Sequence, residues 1–245
     1  MALAAKPYLQ RVTALFGAEV DWDSHPYNVP AVQALESIDF HADVTFFIGE
    51  NGAGKSTVLE AIALALGFSL DGGNFNVSRL NSAQEQAPLV RALRLQKSFK
   101  FPQDRYFLRA ETFHHVASFL DAANDRTSSS KASLHTRSHG EAFMDVMLGR
   151  LTGKGLYLLD EPEAALSPNR QLAALRLIHQ LVQDQSQFII ATHSPILLAY
   201  PNAKILLFDD TGITEVAYED TEHYAITRDF LNHYPRRLAQ LFAPD

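Results

Sequence analysis

The sequence predicts an α/β fold: a mostly parallel sheet flanked by helices, with antiparallel strands at the N-terminus and a small inserted helical lobe. Two observations carry this. Short, wholly apolar runs of strand length recur between segments of helical periodicity, as in sheets covered on both faces. One stretch, residues 112–151, has helical character and no strand signal, which marks it as an insertion. The expected organisation is one α/β lobe over 1–111 and 152–245, with a helical lobe, 112–151, inserted in it.

Each element follows from its pattern. Residues 12–20 and 38–48 contain strand-like runs around a turn-rich stretch, 21–30. Val44-Thr-Phe-Phe-Ile48 reads as a buried strand ending at Gly49, and 56–66 as a helix apolar almost all round. Residues 71–74 read as a turn, 106–108 as a strand and 113–123 as an amphipathic helix. The serine-rich stretch 124–140 reads as a loop, followed by a helix over 141–151. Gly155-Leu-Tyr-Leu-Leu-Asp160 is a second buried strand. Residues 168–183 form a helix with Leu172, Leu175, Ile178 and Leu181 as its apolar positions, and 188–191 a third buried strand. Residues 204–208 and 213–218 flank Thr211-Gly212 as a hairpin, and 222–242 is helical with a break near Pro235.

Composition narrows the chemistry. The 245 residues are 47% hydrophobic and 20% charged, as in folded soluble domains. There is no cysteine, which excludes disulfides, thiolate metal sites and a cysteine nucleophile. The ten histidines show no metal-ligand spacing. The first residues lack a signal-peptide pattern and no apolar run is long enough to span a bilayer, so a cytoplasmic location without a transmembrane segment is expected. Net charge is −7, yet residues 79–109 carry seven basic and two acidic side chains. That segment reads either as a solvated strand face or as a nucleic-acid groove.

Two motifs carry the reaction. Gly49-Glu-Asn-Gly52-Ala-Gly54-Lys55-Ser56-Thr57 has the G-x-x-x-x-G-K-[ST] spacing, follows a predicted strand and opens a predicted helix. Its glycines let backbone N–H groups wrap a phosphate at a helix N-terminus. Asn51, Gly52, Ala53, Gly54, Lys55, Ser56 and Thr57 are the candidate phosphate-binding residues. Lys55 is placed to meet the β- and γ-phosphates and the Ser56 hydroxyl to ligate Mg²⁺. The second motif is Asp160-Glu161 at the end of a buried strand, where ligands bind in such sheets. Asp160 is the candidate Mg²⁺ ligand, and Glu161 the group that orients or deprotonates water.

With these motifs in order, the sequence resembles the ABC-type ATPases. Ser138-His139-Gly140-Glu141 looks like the family signature, Ala165-Leu166-Ser167-Pro168 like its D-loop, and Thr192-His193-Ser194-Pro195 like its switch-histidine loop. The resemblance implies that Ser138 and Gly140 complete the ATP site of a second copy, and that His193 senses the γ-phosphate. It also implies a Q-loop residue near the metal, Glu111 or Gln103, and an adenine-stacking aromatic, Trp22 or Tyr27. A serine at 138 also fits a plain helix N-cap. Gly140-Glu141-Ala-Phe-Met-Asp145 departs from the transporter pattern, and Gly49-Glu-Asn51-Gly-Ala-Gly-Lys55 and Asp160-Glu-Pro-Glu163 look more like the soluble SMC/RecF branch, here without a coiled-coil arm. The resemblance implies an ATP hydrolase that dimerises around two Mg-ATP and acts on nucleic acid or a partner protein, in DNA-related or defence processes. The alternatives are the nucleotide-binding subunit of a membrane transporter and an ATP-gated module with negligible turnover. Nine histidines other than His193 read as structural.

Overall fold

The structure is a computed structural model that describes residues 6–69, 73–74, 88–109 and 139–243. Ser138, Glu111, Arg79 and the helix expected over 113–123 lie outside the described residues, as does most of the segment 112–151 expected as an inserted lobe.

Two sheets form the body. The smaller has three antiparallel strands in the order β2-β1-β5: β1 (Leu9–Ala14), β2 (Ser37–Asp39) and β5 (Leu93–Lys97). The larger has seven strands in the order β10-β9-β3-β8-β7-β6-β4. Its five central members are β9 (Lys204–Asp209), β3 (Val44–Ile48), β8 (Gln187–Ala191), β7 (Gly155–Asp160) and β6 (Asp104–Arg109). These five run parallel. The edge strands β10 (Gly212–Val216) and β4 (Gly73–Asn74) pair antiparallel.

Every residue of β3, β7 and β8 is buried, which is why these strands are mostly continuous apolar runs rather than alternating, with Thr45, Asp160 and Gln187 as their buried polar residues. Successive side chains point to opposite faces and enter two separate cores. Phe46, Tyr157, Phe188 and Ile190 face one, with helices α4 (His139–Arg150) and α5 (Pro168–Gln183). Phe47, Leu158, Ile189 and Phe208 face the other, with α2 (Lys55–Ala65) and the small sheet. Helix α2 packs against β7 and β8 on one side and β5 on the other. Its all-round apolar sequence follows from that sandwich.

Short helices α1 (Pro30–Gln33), α3 (Pro88–Ala92) and α6 (Pro195–Leu198) link these layers. The chain ends in α7 (Glu222–Leu241), which has no buried residue. Its break falls where expected: His233 leaves helical geometry just before Pro235, whose ring would meet the carbonyl one turn back. Among the described residues no helix is long and apolar enough to cross a membrane.

Three expectations are corrected. The strand expected over 12–20 stops at Ala14, and the remainder includes a turn in which Val20 N–H reaches back to the Gly17 carbonyl at 3.4 Å. Gly73–Asn74 is a strand paired with Phe107 and Tyr106, not a turn. Leu172 is 56% exposed, and the core face of α5 is Ala174, Leu177, Ile178 and Leu181.

Candidate active site

The C-terminal ends of three neighbouring strands, β3, β8 and β7, carry the loops that build the site. Backbone bonds hold these loops in register beyond the strands. Thr192 N–H donates to the Phe47 carbonyl at 3.1 Å and Glu161 N–H to the Ala191 carbonyl at 2.9 Å.

After β3 the chain enters the glycine loop at Gly49, with φ of 139° and a Cβ position only 2.1 Å from the Phe208 carbonyl oxygen. A side chain there would collide with backbone. Gly54, at φ 100°, precedes Lys55 as the α2 N-cap, and a Cβ on it would press on Val29 Cγ1 at 2.7 Å. A glycine N-cap supplies no side chain to the first N–H groups of α2, which leaves that helix end open to an anion. Lys55 is buried, and its Nζ donates to the carbonyls of Gly49 and Glu50, each at 2.9 Å. One of its three protons remains for a ligand oxygen. Burial pulls its pKa down, against the opposing pull of Glu161, Asp160 and Glu163.

Ser56 Oγ donates to Asp160 Oδ1 at 2.9 Å, joining the two motifs across 104 residues. Burial pushes the Asp160 carboxyl up to about 6, despite the Ser56 hydrogen bond and the nearby Arg109 guanidinium. Arg109 Nε is 4.0 Å from Asp160 Oδ2, and its Nη2 is paired with Glu60 Oε1 at 2.6 Å. Glu161 sits in the left-handed region at φ 48°, a conformation that costs a non-glycine residue about 1 kcal/mol or more. It turns the chain out of β7 into a 3-10 turn, Pro162–Ala165.

His193, after β8, is held on three sides. Its backbone N–H donates to Glu163 Oε1 at 2.5 Å, its Nε2 faces Glu161 Oε1 at 3.7 Å, and its Nδ1 meets His223 Nε2 at 3.2 Å. Burial, then the Lys55 charge, lowers its pKa. The structure thus brings Lys55, Ser56, Asp160, Glu161 and His193 together.

Gly140 lies in the first turn of α4, which begins at His139 rather than 141. Helix α4 packs against the 3-10 turn after Glu161. Gln103 is removed from the Q-loop role. It precedes β6 and donates its backbone N–H to the Lys154 carbonyl before β7, at the opposite end of the strands from the site. Six strand residues, about 20 Å, intervene. Trp22, 40% exposed, and half-buried Tyr27 form an edge-on cluster with Phe16, on the segment whose Val29 touches Gly54.

Sequence reasoning missed Glu163 as the anchor of the switch loop, Arg109 and Glu60 beside Asp160, and His223. Glu163 was visible in the Asp160-Glu-Pro-Glu163 run, but its partner lies 30 residues on. His223 gave no local signal.

Comparison with known proteins decides the family. A family described as "AAA domain" matches residues 27–87, and one described as "AAA domain, putative AbiEii toxin, Type IV TA system" matches 133–199. The hemin import ATP-binding protein HmuV of Nocardia farcinica is 30% identical over 224 residues, covering 82% of this chain and 75% of the relative. The chain belongs to the ABC-type P-loop ATPases. A "putative ABC transporter ATP-binding protein" of Methanothermobacter thermautotrophicus is 26% identical over 222 residues, 80% of this ABC ATPase and 79% of that protein. In fold, it is similar to cbiO1 from Clostridium perfringens, part of the ABC transporter complex cbiONQ. The TM-score is 0.52 at 17% identity, covering 96% of this chain and 98% of that one. This ABC ATPase is accordingly an ATP-binding, ATP-hydrolysing protein.

Proposed function

We propose that this ABC ATPase binds Mg-ATP, closes as a pair of identical chains around two nucleotides, and uses hydrolysis as a switch that acts on nucleic acid or a partner protein. The observation that carries the reading is the convergence of Lys55, Ser56, Asp160, Glu161 and His193 at the ends of three adjacent strands.

Backbone N–H groups from Asn51 to Thr57 wrap the phosphates, and Lys55 gives its remaining proton to a β- or γ-oxygen. The Ser56 hydroxyl and the Asp160 carboxylate are hard oxygen donors already within 2.9 Å of each other, which suits Mg²⁺. Glu111 is the proposed Q-loop contact to that ion. When bound, Mg²⁺ draws charge from the β–γ phosphate oxygens. Glu161 takes a proton from water as the water oxygen bonds to the γ-phosphorus and the bond to the β-phosphate oxygen breaks, releasing ADP. His193 donates a hydrogen bond to a γ-oxygen. Ser138 and Gly140 reach the nucleotide of the other copy, so one chain alone holds half of each site.

Glu161→Gln keeps the shape and removes the base. Hydrolysis is expected to fall about 100-fold or more, and ATP with Mg²⁺ should double the mass seen by light scattering. Adding Lys55→Ala should return the mass to that of a single chain, because triphosphate binding is lost. A Glu161→Gln protein that stays single-chain in saturating ATP, or hydrolyses at the wild-type rate, refutes the reading.

A membrane-transporter subunit is the second reading, favoured because the two curated relatives above are ATP-binding proteins of import or transporter type. Retention of the Glu161→Gln protein by a membrane protein would select it.

A further inference from the structure

A neutral imidazole carries one proton on two nitrogens, and the choice decides whether His193 meets the site as a donor or an acceptor. The Nδ1 side of His193 is taken by His223, with ring centroids 5.4 Å apart and planes 44° apart. Four charged groups surround the pair: Lys55 from α2, Glu161 and Glu163 from the turn after β7, and Glu222 from α7. Burial and Lys55 lower the pKa of both rings, which favours their neutral forms, and between two neutral rings a single proton bridges the contact.

Two arrangements fill that contact. If His193 Nδ1–H donates, His223 must carry its own proton on Nδ1, which is buried without a partner. His193 Nε2 would then turn a lone pair toward the Glu161 carboxylate 3.7 Å away. His193 Nε2 is buried without a hydrogen-bond partner as well, so each arrangement leaves one such N–H, and it is the two facing electron-rich atoms that count against this one. If His223 Nε2–H donates instead, the buried Nδ1 of His223 is only an unfilled acceptor. His193 Nε2 then carries its proton toward the carboxylate.

We propose that His223 is a positioning residue for hydrolysis: its Nε2–H donates to His193 Nδ1 and fixes His193 as the Nε2–H tautomer, ready to donate to an anionic phosphate oxygen. The inference rests on the role given to His193 above. His223 is itself firmly placed. Thr221 Oγ1 caps α7 by accepting from Tyr224 N–H at 3.3 Å and donates to the Tyr218 carbonyl at 2.7 Å. Tyr218 Oη donates to the Pro195 carbonyl at 2.8 Å, two residues past His193, and its ring packs on Tyr224 at 4.7 Å. Glu163 grips the His193 backbone from the other side. Hydrogen bonds therefore tie the first turn of α7 to the switch loop.

Imidazole ¹H–¹⁵N correlation spectra of the full chain read the tautomer directly, without turnover. His193 is expected as Nε2–H in the unmodified protein. His223→Phe keeps a ring and removes the donor. It should mix the His193 tautomers and lower kcat by about 10- to 100-fold, the usual range for residues that orient a reacting group, while KM for ATP stays within about twofold. His223→Gln offers an amide N–H in the same place and should restore kcat to within about threefold of wild type. A His193 found as Nδ1–H in the unmodified chain, a Phe variant with wild-type turnover, or a Gln variant as slow as Phe overturns the proposal. His193→Ala separates the two claims. Wild-type hydrolysis in that variant refutes the role of His193, whereas the tautomer spectrum judges the His223 contact either way.

Discussion

Burial holds the Asp160 carboxyl at about 6, up from an ordinary 3.8, so the folded chain favours its protonated form. Below pH 4 the group is neutral folded or unfolded and costs nothing. As pH rises through 6 the folded chain must ionise a buried acid, and stability is lost. Asp160→Asn removes that cost while keeping an acceptor for Ser56. In the ligand-free protein it should stabilise at pH 8 by on the order of 3 kcal/mol at most. The gain should fade below pH 5, and hydrolysis should be lost at every pH. Urea unfolding at pH 8 and pH 4.5 checks this; an equal gain at both would mean that burial is not the cause. Asp160, Lys55 and Ser56 were legible from sequence because each sits in a local pattern whose chemistry needs that residue type. His223 was not. It meets His193 only because the β9–β10 hairpin returns the chain to the switch loop, and no local pattern encodes a contact made 30 residues away.

Between elements, one side chain fastens the small sheet to the large one. Gln187, fully buried at the start of β8, accepts from Leu9 N–H at 3.0 Å. It also donates to the carbonyls of Leu9 and His41 at 2.9 and 3.0 Å. It takes up the Leu9 backbone beside the register shift between Leu9 and Arg11, where the β1–β5 ladder is irregular. Gln187→Ala orphans a buried donor and two acceptors, so a loss of about 3 kcal/mol is expected in urea unfolding. Gln187→Glu should be worse than a neutral isostere, because its carboxylate would face two carbonyls. A loss under 1 kcal/mol for Gln187→Ala would show that the sheets are held by apolar packing alone. The buried parallel strands were legible because sheets covered on both faces need continuous apolar runs. Leu172 was misread because α5 has two apolar faces. Ala174, Leu177 and Ile178 meet the core. Leu172 and Leu175 line a groove of about 370 Å³ with Tyr224 and Leu231 of α7. Periodicity reports that a face is apolar, not what it meets. The 3-residue and 2-residue strands β2 and β4 are too short to show a period at all.

Across the whole molecule, charge and exposed apolar surface bear on what the switch acts upon. The chain is acidic at −7, yet the β5–β6 region is basic, and its connecting loop places Phe99 and Phe101 at 60% and 81% exposure on either side of Lys100, close after Lys97. Lys100 Nζ lies 5.9 Å from the Phe99 ring centroid. A solvated strand face has no use for two bare phenylalanines, whereas a single strand of nucleic acid offers base faces to stack on them and phosphates for the lysines. If this loop is the contact, its two residue types must fail differently. Phe99→Ala and Phe101→Ala should each weaken binding of a labelled single strand about 5- to 100-fold, with the salt dependence unchanged. Lys97→Ala and Lys100→Ala should each lower the slope of log affinity against log salt by about 0.7. Fluorescence anisotropy in ATP and Mg²⁺, with single-stranded and duplex probes at several salt concentrations, separates these effects. No binding of either probe at low salt rules out nucleic acid as the target. The same two phenylalanines then become the place to look for a protein partner, because a protein surface can cover exposed rings without supplying phosphates.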